Sequence, residues 1–406
     1  LADIKGNFFV DLSKSGTGEG TRSNPFSYTD FLAHGGIKKS NQPTKNLTYS
    51  FTGNKLNVDT KAEIKTRTHI NNVKVILQGD PSAIPPKIIA SSIITSLFEI
   101  SDTIQATKSI LFRHLTLGQE VSSGSFVVVE VKNTQSSDNS IDFENIVFFG
   151  RTIANTKALF STTTQGIYTF KGCTFAGFGT SVNTENAILA DTSAQATIII
   201  RGCQFEGFVN ILEGDSTSSF DVDFSGFYES VSITDGGATF TIGTNNKGNA
   251  VGTSQLVDAD KPIATADFTI SSGSEIIGAS ETSLLEFDIN RKQRGKTQDI
   301  GAFESNIVTG TDFSIMMFDP LTQLARKGLT MELYFSGVAI VDGFVDGVRA
   351  VKASDPTQSV APAEGNNFGT YVFKDVPSGR YDVVASAPGV NVQIVREHSN
   401  FVVSNE

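Results

Sequence analysis

The chain has no tryptophan and only two cysteines, Cys173 and Cys203, in 406 residues. Two cysteines exclude a scaffold built on disulfides. Sugar-binding clefts commonly stack pyranose rings on aromatic faces, and tryptophan is the broadest such platform. Its absence argues against a long carbohydrate cleft, although tyrosine can serve. No Lys/Arg run is long enough to make a basic patch, and the formal net charge is −11, so no nucleic-acid partner is expected. No apolar stretch reaches the roughly 18 residues of a membrane span, so no membrane insertion is expected. The first residues, Leu1-Ala2-Asp3-Ile4, carry no signal-peptide pattern. The expectation is either a leader already removed or export by another route, such as release within a virus particle. Helix signals are scarce as well.

What is present is 31 phenylalanines, 39% hydrophobic and 18% charged residues, a balance that suits a folded chain. Short alternating apolar runs broken by Gly, Asn and Asp read as strands, and they repeat. Phe112-Arg113-His114-Leu115-Thr116-Leu117 matches Phe143-Glu144-Asn145-Ile146-Val147-Phe148. That matches Phe170-Lys171-Gly172-Cys173-Thr174-Phe175, then Ile200-Arg201-Gly202-Cys203-Gln204-Phe205, at offsets of 31, 27 and 30 residues. Weaker copies lie at Val73–Leu77 and Phe220–Phe224. Each unit is a short strand, a one-residue bend and a second short strand, with apolar residues inward and the charged residue outward. A unit of this length cannot bury its apolar face alone, but stacked units share one core. The leucine-rich consensus and the four-strand propeller period are both missing. The pattern predicts an all-β right-handed parallel β-helix over 45–305, an N-terminal cap over 1–44, and a linker with a small Ig-like or transthyretin-like β-sandwich over 306–406.

The segment from Asp267 to Ala279, containing Gly273-Ser274-Glu275-Ile276-Ile277-Gly278-Ala279, resembles the "D-x-x-L-x-x-G-S-P-A-I-D-A-G" closing segment of secreted β-helix proteins of the pectate-lyase-like superfamily. Phe287-Asp288-Ile289-Asn290-Arg291-Lys292 and Gln298-Asp299-Ile300-Gly301-Ala302-Phe303-Glu304 are similar to the "D-x-x-G-x-x-R … D-I-G-A-x-E" ending of that group called choice-of-anchor Q. Phe8-Phe9-Val10-Asp11 and Gly16 to Phe26 resemble its opening. Glu275 stands where proline is usual and Gly278 where aspartate is usual. The resemblance implies the β-helix fold over about 5–305 and leaves activity open, because one fold hosts many functions. Gly369 to Gly389 looks like the hairpin of carboxypeptidase-regulatory-like sandwiches, two strands around a Pro-Ser-Gly turn, with no catalysis implied.

Arg113, Glu144, Lys171 and Arg201 fall in one outward column. The favoured reading is a surface charge ladder, each exposed pair contributing about 0–1 kcal/mol. The competing reading is a polysaccharide lyase, in which a cation or Ca2+ neutralises a uronate carboxylate and a basic side chain takes the C5 proton; Arg113, Lys171 and Arg201 are its candidate catalytic residues. Asp221 and Asp223 share a strand face and are candidate Ca2+ ligands or an acid–base pair; Asp258 and Asp260 have the same spacing. Solvation of an outward face is the favoured reading for both pairs. The N-T-D, adjacent Asp pair and G-H-G of polygalacturonase-type β-helix hydrolases are missing, and Arg291-Lys292 is a fragment of their R-I-K. His34, His69, His114 and His398 lie too far apart for a metal motif, and Gly16-x-Gly18-x-Gly20 reads as a turn. Asn145, Asp299 and Gly301 read as structural, at a bend and in the closing motif.

Cys173 and Cys203 occupy equivalent positions of adjacent coils, about 4.8 Å apart by rung spacing. That lies within the roughly 4.4–6.8 Å a disulfide needs, but stacked side chains run parallel where a disulfide needs a dihedral near 90°. They are expected to be reduced and buried in an inward column with Leu115 and Ile146. No cofactor is expected, with Ca2+ left open. The function expected is a non-catalytic extracellular or virion-surface protein of phage tail or decoration type. The alternatives are a lyase or depolymerase of tail-spike type on a uronate glycan, and a bacterial cell-surface adhesin. Partners are a surface glycan or other virion or cell-surface proteins, with a homo-oligomer left open.

Overall fold

The repeats stack in register. Phe112 pairs with Phe143, Phe143 with Phe170 and Phe170 with Ile200, each in parallel strands. The structure is a computed structural model. It describes residues 6–34, 47–64, 73–80, 84–91, 94–101, 108–120, 126–132, 139–151, 157–178, 184–191, 194–281, 284–285, 287–290, 294 and 298–305. Beyond these it describes the backbone of 311–316, 330–335, 351–352, 357–359, 370–376, 379–386 and 401–403. Two units divide the chain, Leu1–Asn306 and Ile307–Glu406.

Among the described residues the first unit holds a fifteen-stranded and a seven-stranded sheet, whose strand pairs are all parallel and wind as successive rungs. The larger sheet folds lengthwise at the predicted bend. His114, Asn145, Gly172, Gly202 and Phe224 occupy that bend in successive rungs with φ of 54°, 51°, 55°, 62° and 51°. This is the left-handed region, which glycine enters freely and asparagine readily, and which costs other residues about 1–2 kcal/mol. The bend separates two faces. Face 1 contains Gly166–Lys171, Ala196–Arg201 and Ser219–Asp223; face 2 contains Thr174–Ala176, Gln204–Glu206 and Gly226–Tyr228. The smaller sheet is face 3, with Ala158–Thr162, Thr184–Ala190 and Phe208–Gly214. The result is a right-handed parallel β-helix. Both weaker copies are rungs: Val75 pairs with Ile110 and Phe220 with Ile198.

The core explains the phenylalanines. Phe143 stacks on Phe112 at 5.1 Å and on Phe170 at 4.7 Å. Across the bend, Phe148, Phe175, Phe205 and Phe227 stack at 4.6, 4.6 and 5.6 Å. Each buried ring is worth about 2–3 kcal/mol by area, and each stacked pair about 0.5–1.5 kcal/mol more. A phenyl ring repeats at the rung spacing without a polar atom to satisfy, whereas an indole N–H would need a partner in that core.

Leu115 pairs with Ile146 in the column inside the bend. Cys173 and Cys203 continue it, between the registered pairs Lys171–Arg201 and Thr174–Gln204. Both are fully buried free thiols, and burial raises the pKa of Cys173. Thiol titration is expected to find none reactive in the native protein and two after denaturation without reductant. A count of zero after denaturation would show a disulfide.

Ahead of residue 45, Gly6–Asp11 pairs in parallel with Leu47–Thr52 and adds a rung. A short helix, Tyr28–Ala33, starts at a Ser27/Asp30 capping box and packs Phe31 edge-on against Tyr49 and Phe51 at 5.2 and 5.1 Å.

Among the described residues the second unit has two antiparallel sheets. Thr370–Val376 lies between Thr311–Met316 and Thr357–Ser359, and Gly379–Ser386 lies between Thr330–Phe335 and Phe401–Val403. The two strands read from the sequence as one hairpin therefore exist, but they pair into different sheets. Their motif fixes each strand by its alternation, while the pairing is decided by strands distant in sequence.

Candidate functional site

The predicted charge column is real in register and differs along its length. Gln78, Arg113, Glu144, Lys171, Arg201 and Asp223 are consecutive partners on face 1. Glu144, Lys171, Arg201 and Asp223 are part-exposed, but Arg113 is 6% exposed. Arg113 is thus not the surface charge the alternation implied. Its Nε donates to Gln78 Oε1 at 2.7 Å, and burial lowers its pKa against the opposing charge of Glu144. Strand alternation says which way a side chain leaves the sheet, not what lies over it.

Arg201 is committed. Its Nη2 meets Asp221 Oδ2 at 2.6 Å, and its Nη1 donates to the Ile200 and Asp221 carbonyls, both at 2.9 Å. Asp223 accepts from the Asn245 backbone N–H at 3.2 Å and from Asn245 Nδ2 at 3.0 Å. Asp221 and Asp223 therefore share a face but answer to different partners. Asp258 and Asp260 are exposed, and Asp260 pairs with Lys261 at 3.6 Å. Among the described residues no group of three or more His, Cys, Asp or Glu is arranged to hold a metal ion, and no helix is long and apolar enough to cross a membrane. His114 is buried at its bend. His34 packs between Phe8 and Phe26, with Nδ1 2.7 Å from the Tyr49 hydroxyl, and burial lowers its pKa. His69 and His398 lie outside the described residues.

The most elaborate polar cluster is one the column did not indicate. After the last rung the chain doubles back, and the described residues between 253 and 305 form a strap along the outside of face 2. Leu256, Ala259, Ile263, Phe268, Ile289 and Ala302 pack on Ile89, Val147, Phe149, Ala176 and Phe178. The run Val147-Phe148-Phe149 is apolar at every position because this strand is covered on both sides.

Arg294 fastens the strap. It is 1% exposed at the side chain, and its five N–H groups meet five acceptors. These are the carbonyls of Phe287 (3.2 Å), Asp299 (3.1 Å) and Gly301 (2.7 Å), Glu304 Oε2 (3.3 Å) and Asn145 Oδ1 (3.0 Å). Asn145 Nδ2 returns a bond to the Phe287 carbonyl at 2.6 Å, so the bend residue is also an anchor for the strap. Asp299 accepts from Gly278 N and Ser305 N, both at 2.6 Å. The Gly301 N–H reaches the Gly202 carbonyl at 2.8 Å, and its φ of 104° suits glycine alone. At Gly202 a Cβ would meet the side-chain ends of Leu284 and Ser280 at 2.4 and 2.5 Å, so any larger residue there must push these strap side chains aside. Burial and the charge of Asp299 push Glu304 up to about 7 against the pull of Arg294. The sequence carried a signal for Arg294: counted from Asp288, the D-x-x-G-x-x-R spacing ends on residue 294, not on Arg291.

No protein family model matches the chain, and no curated protein matches it. Among solved structures, the crystal structure of pectate lyase Pel9A is similar over 74% of this chain and 96% of its own, at 12% identity and a TM-score of 0.35. A likeness at that level bears on neither substrate nor chemistry. The fold is fixed by the rung register itself, and that register makes the first unit a parallel β-helix.

Proposed function

We propose that this chain is a non-catalytic structural protein of an extracellular or virion surface, a stiff β-helix that offers the open part of face 1 to a surface glycan or a neighbouring surface protein. The observation that carries this reading is the occupation of the column's cations. A lyase base must reach a substrate proton; Arg113 is buried on Gln78, and Arg201 is held by Asp221 and two carbonyls. An arginine so committed serves the wall of the coil. The lyase reading is favoured by one residue: Lys171, part-exposed and in register between Glu144 and Arg201, is a cation to which a uronate carboxylate has access.

The deciding experiment incubates the full chain with uronate-containing glycans, with and without Ca2+, and follows the absorbance of the unsaturated product. No increase over the protein-free blank is expected. Turnover that disappears in Lys171→Ala would overturn the structural reading and establish the lyase.

A further inference from the structure

As the chain turns back from its last rung, the strap first meets face 2 at a buried carboxyl. Glu206 is fully shielded from solvent and lies in register between Ala176 and Tyr228. One oxygen accepts from Gln204 Nε2 at 2.6 Å and from the Gln255 backbone N–H at 2.8 Å; the other meets Ser254 Oγ at 2.5 Å. Two further carboxylates belong to the same cluster. Glu229 follows Tyr228 and accepts the Ser254 N–H at 3.1 Å, and Glu275, on the strap, accepts the Tyr228 hydroxyl at 2.8 Å.

We propose that the strap is a pH-operated latch whose catch is Glu206: protonated, the carboxyl holds residues 254–256 on face 2, and ionised, it loosens them. The protonated form satisfies both the carboxyl and the Ser254 hydroxyl without a charge. Glu206 donates to Ser254 Oγ, and Ser254 gives its own proton to the Leu256 carbonyl at 3.3 Å. The ionised form seals a carboxylate beside Glu229 in a site from which water is excluded. Burial is the main influence pushing Glu206 up to about 7, Glu229 adds to it, and the donors from Ser254, Gln255 and Gln204 oppose it.

A carboxyl that binds its proton more tightly closed than open favours the closed state fully below the open-state pKa. That advantage is lost as pH rises through the closed-state value. The window therefore runs from 4.5, the ordinary value, to about 7. Across it the opening equilibrium rises on the order of a hundredfold.

Hydrogen exchange read by mass spectrometry tests this on the full chain at pH 5 and pH 8.5, comparing wild type with Glu206→Gln at each pH so that intrinsic exchange chemistry cancels. The peptide spanning 253–258 is expected to exchange alike in the two proteins at pH 5. At pH 8.5 it should exchange up to about a hundredfold faster in wild type. Equal rates at both pH values would overturn the proposal. If the variant does not fold, wild type alone decides: the protection of 253–258 relative to the core peptide 166–171 must fall between pH 5 and pH 8.5, and a constant ratio refutes the latch.

Discussion

Arg294→Met is expected to lower the unfolding free energy by about 3–5 kcal/mol, the scale for removing one partner of a buried ion pair, read as a shift of the urea midpoint followed by circular dichroism. The loss has two parts. Asp288, Asp299 and Glu304 are all buried and all lie within the field of this one guanidinium, so its removal leaves their charge uncompensated. The carbonyls of Phe287, Asp299 and Gly301 lose their donors as well. Each buried acceptor left bare costs on the order of 1–3 kcal/mol before relaxation. Lys261→Met is the contrasting case. Lys261 is half-exposed and meets Asp260 at 3.6 Å, and no measurable shift is expected. Equal shifts in the two variants would show that the strap is not fastened where its geometry says it is.

Phe143→Ala is expected to cost about 3–5 kcal/mol, by the same measurement. Its ring stacks on Phe112 and Phe170 and meets Phe148 and Phe160 edge-on at 5.5 and 5.6 Å. Rung hydrogen bonds hold the neighbouring backbones at fixed spacing, so the walls cannot collapse into the void, and the cavity term adds to the lost transfer energy. Phe240→Ala provides the scale. Phe240 is part-exposed on the last rung, stacked on Phe220 at 5.0 Å, and its removal is expected to cost about 1 kcal/mol because little buried area is lost. A cost for Phe143→Ala as small as that would contradict the stacked-column account of the core.

The rungs were legible because stacking imposes the same demand at equivalent positions. An inward site bounded by identical neighbours above and below needs the same volume, and that demand is written as phenylalanine at Phe112, Phe143 and Phe170. The bend was legible for a backbone reason, since Asn145, Gly172 and Gly202 are residues that tolerate positive φ. The site was less so. The column through Arg113 and Lys171 gives direction out of the sheet but says nothing about cover, and cover is what separates a buried Arg113 from a part-exposed Lys171. The strap's resting place was written in Val147-Phe148-Phe149, whose lack of alternation marks a strand enclosed on both sides. Arg294 was marked by spacing alone. The hairpin at Gly369 to Gly389 failed because alternation determines a strand and not its partner.

The strap also changes how the stack can come apart. Rungs that touch only their neighbours behave as a one-dimensional chain of units, able to fray from either end one at a time. Here Lys87 reaches the Ile263 carbonyl, 176 residues away, and Asn145 reaches Phe287, 142 residues away. The same strap continues to Gly202 and Tyr228, so a single segment is sewn across six consecutive rungs, those of Lys87, Thr116, Val147, Thr174, Gln204 and Gly226. A rung beneath it cannot melt without also breaking its own contacts to the seam, which couples rungs that would otherwise fray one at a time. Contacts between such distant parts of the chain carry a loop-closure cost that contacts between adjacent rungs largely avoid.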